Sequence, residues 1–150
     1  MLTEWTPDLT LNHDLLDPQH VGLFKLLGAA ASAVDEPGDA LSIALGRFGE
    51  ALVAHLAAEE RIMVETLYPE RVRHKTSHDL LVADVLGVQQ EVLRAGPTPR
   101  LAEIVRTRMP EWLRYHTRMN DVPLGEFLAR HTPGMRAPEP QRAGPPAKLS

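Results

Sequence analysis

LSIALGRFGEALVAHLAAEERI, residues 41–62, places Leu41, Leu45, Phe48, Leu52, His55, Glu59 and Ile62 on one four-three-four-three-four-three progression. Such steps hold one face of a helix with 3.6 residues per turn, so the seven positions form a single inward stripe. The spacing predicts an amphipathic helix. It also puts a histidine and a carboxylate where a core helix carries leucine. An ionised carboxylate in an apolar stripe is costly unless a cation or a raised pKa compensates it.

The same pattern recurs on either side of this segment. Before it, His20, Phe24, Leu27, Ala31 and Val34 step by four and three, with Leu23 and Ala30 widening the stripe; after it come His74, His78, Leu81, Val85, Val88 and Val92. A last run through Leu101, Val105, Met109, Trp112, Leu113 and His116 keeps roughly one face, with Pro110 predicted to kink or restart it. DEPGD (35–39), YPE (68–70) and AGPTP (95–99) punctuate the chain between these runs. No stretch alternates with period two over a strand's length, and Ala, Leu, Glu and Arg favour helix. The chain therefore reads as all-α, an antiparallel up-down-up-down four-helix bundle over 1–131 with a short N-terminal arm. Residues 132–150, with Pro133, Pro138, Pro140, Pro145 and Pro146 and few large apolar residues, predict a disordered tail.

Composition narrows the chemistry. A chain of 150 residues that is 43% apolar can bury one real core. A net charge of −4, with basic residues scattered, gives no footprint for nucleic acid or an anionic membrane. The absence of cysteine excludes disulfides, iron–sulfur clusters and thiolate zinc sites, leaving histidine and carboxylate as the strong ligands. The N-terminus lacks a basic start and apolar run, and no stretch reads as approaching bilayer-spanning length, so the expectation is a cytoplasmic protein without membrane insertion.

Five of the seven histidines, with two carboxylates, then form a candidate dinuclear site: His20, His55, Glu59, His74, His78, His116 and Asp121. The HxxxE and HxxxH pairs place side chains four residues apart on one helical face, so both can reach the same ions. Asp121 fits less readily, because five residues beyond His116 lies about 140° around a regular helix. Pro123 predicts a helix end or distortion that re-aims it; on spacing alone an aspartate in a solvated loop is the simpler alternative. His13 and His131 fall outside the pattern and read as surface or capping residues. Glu60 reads as solvated or as an acceptor that orients a ligand. Gly28, Gly46, Gly49 and Gly87 read as sites of close helix contact.

The motifs resemble those of the hemerythrins, and within them the bacterial hemerythrins. The resemblance rests on Trp5 and Pro7, DPQH (17–20), HLAAEERIM (55–63), YPERVRHKTSH (68–78) and WLRYHTRMND (112–121), and covers about residues 5–130. It implies a bundle holding two non-haem irons, one on His74, His78 and His116, the other on His20 and His55, bridged by Glu59, Asp121 and an oxo or hydroxo group. The family's bridging aspartate follows its last histidine by the same five residues. The implied function is reversible dioxygen binding for storage, transport or delivery, without enzymatic turnover; the recipient of the oxygen is not specified. The alternative is a di-iron sensor of oxygen, nitric oxide or redox state, or a peroxide-handling enzyme. The resemblance also implies an oxygen pocket of Leu23, Leu56, Trp112, Leu113 and Thr117. Leu56 stands where an aromatic residue is common and Thr117 where an aliphatic one is usual, so water admission or proton donation by Thr117 is expected.

Overall fold

Three of the four predicted helices form without interruption: α1 (Leu16–Ala33), α2 (Ala40–Glu65) and α3 (Arg71–Ala95). A fourth helical rod covers 99–131 in the computed structural model, which describes residues 2–131. The tail expected over 132–150 lies outside the described residues. Consecutive rods pack together across short connections, as an up-down-up-down all-α bundle requires. Each connection has a local cause. α2 ends where Leu67 takes a positive φ of 55° and the Tyr68 amide reaches back to the Met63 carbonyl at 2.9 Å. α3 ends at Gly96, at φ 72°. The fourth rod starts with Thr98 Oγ1 accepting from the Leu101 amide and Pro99 in the first helical position.

The fourth rod differs from its neighbours. Two wide π turns, Ile104–Arg108 and Thr117–Asp121, separate the α-helical segments Pro99–Glu103, Met109–His116 and Val122–His131. The Met109 amide bonds the Ile104 carbonyl and the Val122 amide the Thr117 carbonyl, each five residues back. A proline stands at the second position after each turn, Pro110 and Pro123. A proline lacks the amide donor and clashes with the carbonyl four residues before it, here those of Arg106 and Met119. Both carbonyls lie inside the wide turns, which relieves the clash and lets the rod continue. Pro110 thus marks a restart, as expected, and of the helix end or distortion expected near Asp121 it is the distortion, the π turn, that occurs.

The core divides into two apolar clusters with a polar layer between them. One gathers Leu23, Phe24, Leu27, Leu45, Phe48, Leu52, Leu56 and Leu113 with residues of α3; the other gathers Leu11, Leu16, Ile62, Met63, Tyr68, Leu124 and Leu128. The N-terminal arm closes the second cluster. Leu11 presses so near Gly125 that a Cβ there would meet Leu11 backbone and side-chain atoms at 2.8–2.9 Å, so glycine is required. Gly49 is a similar close contact, against Gln89, while Gly46 and Gly87 face open space, contrary to expectation, and Gly28 meets Thr3 only at ordinary distance. Asp17 anchors the arm by accepting from Thr10 Oγ1 and the Leu11 and His13 amides. His13 is buried and its Nδ1 accepts from the Leu15 and Leu16 amides, so of the two expected roles it takes the capping one.

One expectation about membranes needs correcting. α2 is long and apolar enough to cross a bilayer by length and composition, with a mean hydropathy of 1.3 over an 18-residue window. Alanines and branched residues on its outer face raise that average, while Leu41, Leu45, Phe48, Leu52, His55, Glu59 and Ile62 are buried in the bundle.

Candidate metal centre

Each rod delivers its share of the polar layer from one turn inside the apolar clusters. His20 lies between Leu16 and Leu23 on α1, His55 and Glu59 lie between Leu52 and Ile62 on α2, and His74 and His78 precede Leu81 on α3. On the fourth rod the π turn Thr117–Asp121 brings Asp121 to the same side as His116, because a five-residue ladder aligns residues five apart. All seven residues are buried. The structure therefore brings together all seven candidate ligands read from the sequence.

All five imidazoles point Nε2 inward, and the two carboxylates lie between them. Glu59 Oε1 is 2.9 Å from His55 and 3.5 Å from His20, while its Oε2 is 3.0 Å from His78 and 3.4 Å from His74. Asp121 Oδ1 is 2.9 Å from His74 and 3.2 Å from His116, and its Oδ2 is 3.1 Å from His20. Each carboxylate thus turns one oxygen to each of two groups, Glu59, His74, His78, His116 and Asp121 in one, His20, His55, Glu59 and Asp121 in the other. The ligand atoms of each group lie within 4.8 Å of one another.

A cation fits this arrangement. His20 Nε2, His55 Nε2, His116 Nε2, Glu59 Oε1 and Asp121 Oδ2 are buried and lack hydrogen-bond partners. Convergent orphaned donors of imidazole and carboxylate type are what a divalent transition metal satisfies. Without metal, protons take its place. Burial alone would lower His20, but Asp121 and Glu59 beside it outweigh burial and raise it to about 9; His74 is raised to about 9 in the same way. Burial would raise Glu59, yet the surrounding histidines hold it well below the usual carboxylate range. Burial and Glu59 push Asp121 upward, and His116 and His20 more than reverse that.

Outer atoms fix the ring orientations of two histidines. With Nε2 turned inward, His78 Nδ1 donates to Glu60 Oε1 at 3.0 Å, so Glu60 is an orienting acceptor. His55 Nδ1 donates to Gln19 Oε1 at 2.7 Å. Gln19 was missed by sequence reasoning. Its position beside His20 gave the only hint, and on α1 it points to another side of the helix. His131 stands apart, stacked on Phe127 at the exposed end of the fourth rod.

Leu23, Leu56 and Leu113 are buried in the larger apolar cluster, Trp112 packs partly buried against it, and Thr117 is buried beside His116. The Thr117 hydroxyl donates to the Leu113 carbonyl at 2.8 Å.

Comparison with known proteins agrees with this geometry. The family described as Hemerythrin HHE cation binding domain matches residues 11–122. A protein of Stenotrophomonas maltophilia (strain R551-3) named Bacteriohemerythrin is 25% identical over 133 residues, covering 87% of this chain and 84% of that protein. Hemerythrin-like proteins of Naegleria gruberi and Naegleria fowleri are each 29% identical over 85 residues, covering 57% of this chain and 67% of theirs.

Proposed function

The chain belongs to the hemerythrin family, and from that premise we propose that it binds dioxygen reversibly at a pair of non-haem irons, for storage, transport or delivery of the gas rather than for catalysis. The observation that carries this reading is the unequal division of ligands around two shared carboxylates. Three histidines and two carboxylate oxygens give one group five protein ligands; two histidines and two carboxylate oxygens give the other four. His74, His78 and His116 would hold the first iron, His20 and His55 the second, with Glu59, Asp121 and an oxo or hydroxo group between them. A ferrous pair would supply the two electrons that reversible dioxygen binding draws on.

The remaining work falls to the chain's own residues. Glu60 and Gln19 hold His78 and His55 in the tautomer that keeps Nε2 free as a ligand. Leu23, Leu56 and Leu113, with Trp112 packed partly buried against them, belong to the larger apolar cluster and would line the oxygen pocket, where they would exclude water whose protons shorten the life of a bound gas. Thr117 closes the pocket next to His116 and keeps its proton on the Leu113 carbonyl. Five neutral imidazoles and two carboxylates leave less negative charge than carboxylate-rich di-iron sites carry, which favours binding over oxidation of substrates.

The test is anaerobic loading with ferrous iron, confirmation of two irons per chain, exposure to dioxygen and then removal of the gas, with the visible absorption followed throughout. A spectrum that rises with the gas and falls on its removal supports carriage. Irreversible oxidation on first exposure, or turnover of added peroxide, overturns the reading in favour of a sensor or enzyme.

A further inference from the structure

The arm that precedes α1 is held at its two ends by different means. Asp17 and the Leu11–Gly125 contact fix residues 10–13. Residues 2–9 are held instead by two arginines of the fourth rod. Arg114 donates through Nε to the Leu2 carbonyl at 3.2 Å, through one terminal nitrogen to Thr6 Oγ1 at 3.1 Å and through the other to the Glu4 carbonyl, while its guanidinium sits 5.3 Å over the Phe24 ring of α1. One turn on, Arg118 pairs with Asp8 at 2.9 Å. Thr3 lies beside Gly28 of α1, and the Pro7–Leu9 turn packs against the π turn Thr117–Asp121. The arm therefore runs along the seam between α1 and the fourth rod. Leu9 is fully buried in the first apolar cluster, with Leu23 and Leu113, whereas Leu11 belongs to the second. Between them, at Thr10, the arm crosses the level of the metal centre.

We propose that residues 2–9 are a lid over the oxygen pocket, hinged at Thr10 and latched by Arg114, which lifts to admit small molecules and closes to keep water out. The proposal rests on the dioxygen reading, in which Leu23 of the pocket comes from α1 and Trp112, Leu113 and Thr117 come from the fourth rod, the two rods whose seam the arm covers. The physical case is that this wall is held more weakly than the others. Each long helix is fixed by a backbone ladder and a packed stripe, whereas the outer arm hangs on side-chain bonds from Arg114 and on a surface ion pair. Arg118 and Asp8 are 57% and 55% exposed, so their pair contributes little in water. Segments held in this way open locally while the rest of the fold stays closed. Closure also leaves Trp5 Nε1 buried without an acceptor, a cost that lifting the arm into water removes. Leu9 and the partly buried Trp5 supply the opposing drive, because they cover the first cluster only when the arm is down.

A disulfide across the seam provides the test. A Cβ on Gly28 would stand 3.8 Å from Thr3 Cβ, a usual separation across a disulfide, and the chain has no cysteine to compete. In the full chain, Thr3→Cys with Gly28→Cys, oxidised before loading with ferrous iron, should slow amide exchange at Leu9 and Thr10 and slow the loss of iron to the chelator ferrozine. Reduction should reverse both. Arg114→Met, which keeps an apolar stem against Phe24 but removes the latch, should speed both by about tenfold or more. Adding the disulfide to that variant should restore the slow rates. Dioxygen association and dissociation should change by one common factor in each variant with affinity unaltered, because a lid that touches no ligand alters only the path. Unchanged exchange in α1, α2 and α3 separates the lid from the fold. Exchange and iron loss indifferent to both the disulfide and Arg114→Met overturn the proposal, as does a shift in dioxygen affinity without a common change in its rates. A chain that dioxygen oxidises irreversibly, yet loses iron more slowly once the disulfide is closed, removes the dioxygen reading and leaves the lid standing.

Discussion

α3 and the fourth rod each bring two ligands to the metal centre, but on different ladders. α3 places His74 and His78 four residues apart on an unbroken α-helix, with their rings edge to face at 4.6 Å. The fourth rod places His116 and Asp121 five apart and aligns them with a π turn. A regular ladder fixes both spacing and face together. A widened turn uncouples them, admitting one extra residue without rotating the rest of the rod away from the core. Asp121 can thus reach between α1 and α3, 3.1 Å from His20 and 2.9 Å from His74, while Leu124 and Leu128 downstream still face the second apolar cluster.

Removing one residue from each ladder should separate the two rods most clearly. Deletion of Ser77 from α3 rotates everything after it by about 100° relative to His74, carrying Leu81, Val85, Val88 and Val92 out of the core. We expect that chain to bind no metal stoichiometrically and to lose cooperative unfolding. Deletion of the exposed Met119 removes the extra residue of the π turn, leaving His116 and Asp121 four apart and the downstream stripe in phase. That chain should fold cooperatively and retain metal, although Pro123 then meets a regular helix and lowers stability by ~3 kcal/mol. Thermal unfolding and metal analysis of the two deletions check this. Equal damage from both would show that the wide turn is more than an inserted residue.

The same contrast explains what could be read from the sequence. Helix stripes on α1, α2 and α3 were legible because their apolar residues and ligands share one period, and phase alone marked Glu59 as buried. Asp121 was not legible from spacing, because an α-helical period carries it about 140° from His116; only the resemblance to hemerythrins supplied its role. The prolines signalled a disturbance of the helix but not its form. Each of Pro110 and Pro123 follows a π turn by two residues, so a proline inside an apolar-periodic run can mark a widened turn rather than an end. Gln19 was hidden for another reason. It works across the gap between α1 and α2, and no periodicity within one helix reports a partner on the next.

Protons would compete with metal for His20 on α1 and His74 on α3, both raised by the neighbouring carboxylates. His20 and His74 are raised to about 9 in the metal-free chain. Their stabilising contribution is fully present below the unfolded value of about 6.5 and is lost as pH rises through about 9. Glu59 and Asp121 are lowered, so their contribution is present above about pH 4 and is lost on acidification. The metal-free chain should therefore be most stable between roughly pH 4.5 and 6.5. Metal displaces the histidine protons, so the gap in melting temperature between loaded and metal-free chains should widen from pH 6.5 to 9 and close towards pH 5. Melting curves across that range test it, and a gap independent of pH would mean that the ions do not replace these protons.

The smallest effects should come from the residues that hold the rings from outside. Glu60 lies on α2 and fixes His78 on α3; Gln19 lies on α1 and fixes His55 on α2. In contrast, His74 Nδ1 and His20 Nδ1 are buried without partners, so no outer acceptor holds these rings and only packing and the inward carboxylates set their poses. Glu60→Ala and Gln19→Ala should each weaken metal binding by about 10–100-fold, as read by competition with a chromophoric chelator. The carboxylate should matter more, since a charged acceptor raises the basicity of the ring it holds and an amide does so less. Because Glu60 acts on the three-histidine group and Gln19 on the two-histidine group, loss of Gln19 should also change dioxygen affinity in chains still loaded with two irons, whereas loss of Glu60 should leave it nearly unchanged. Equal shifts in gas affinity from the two variants would show that the shared carboxylates, Glu59 and Asp121, transmit ring orientation across the whole centre.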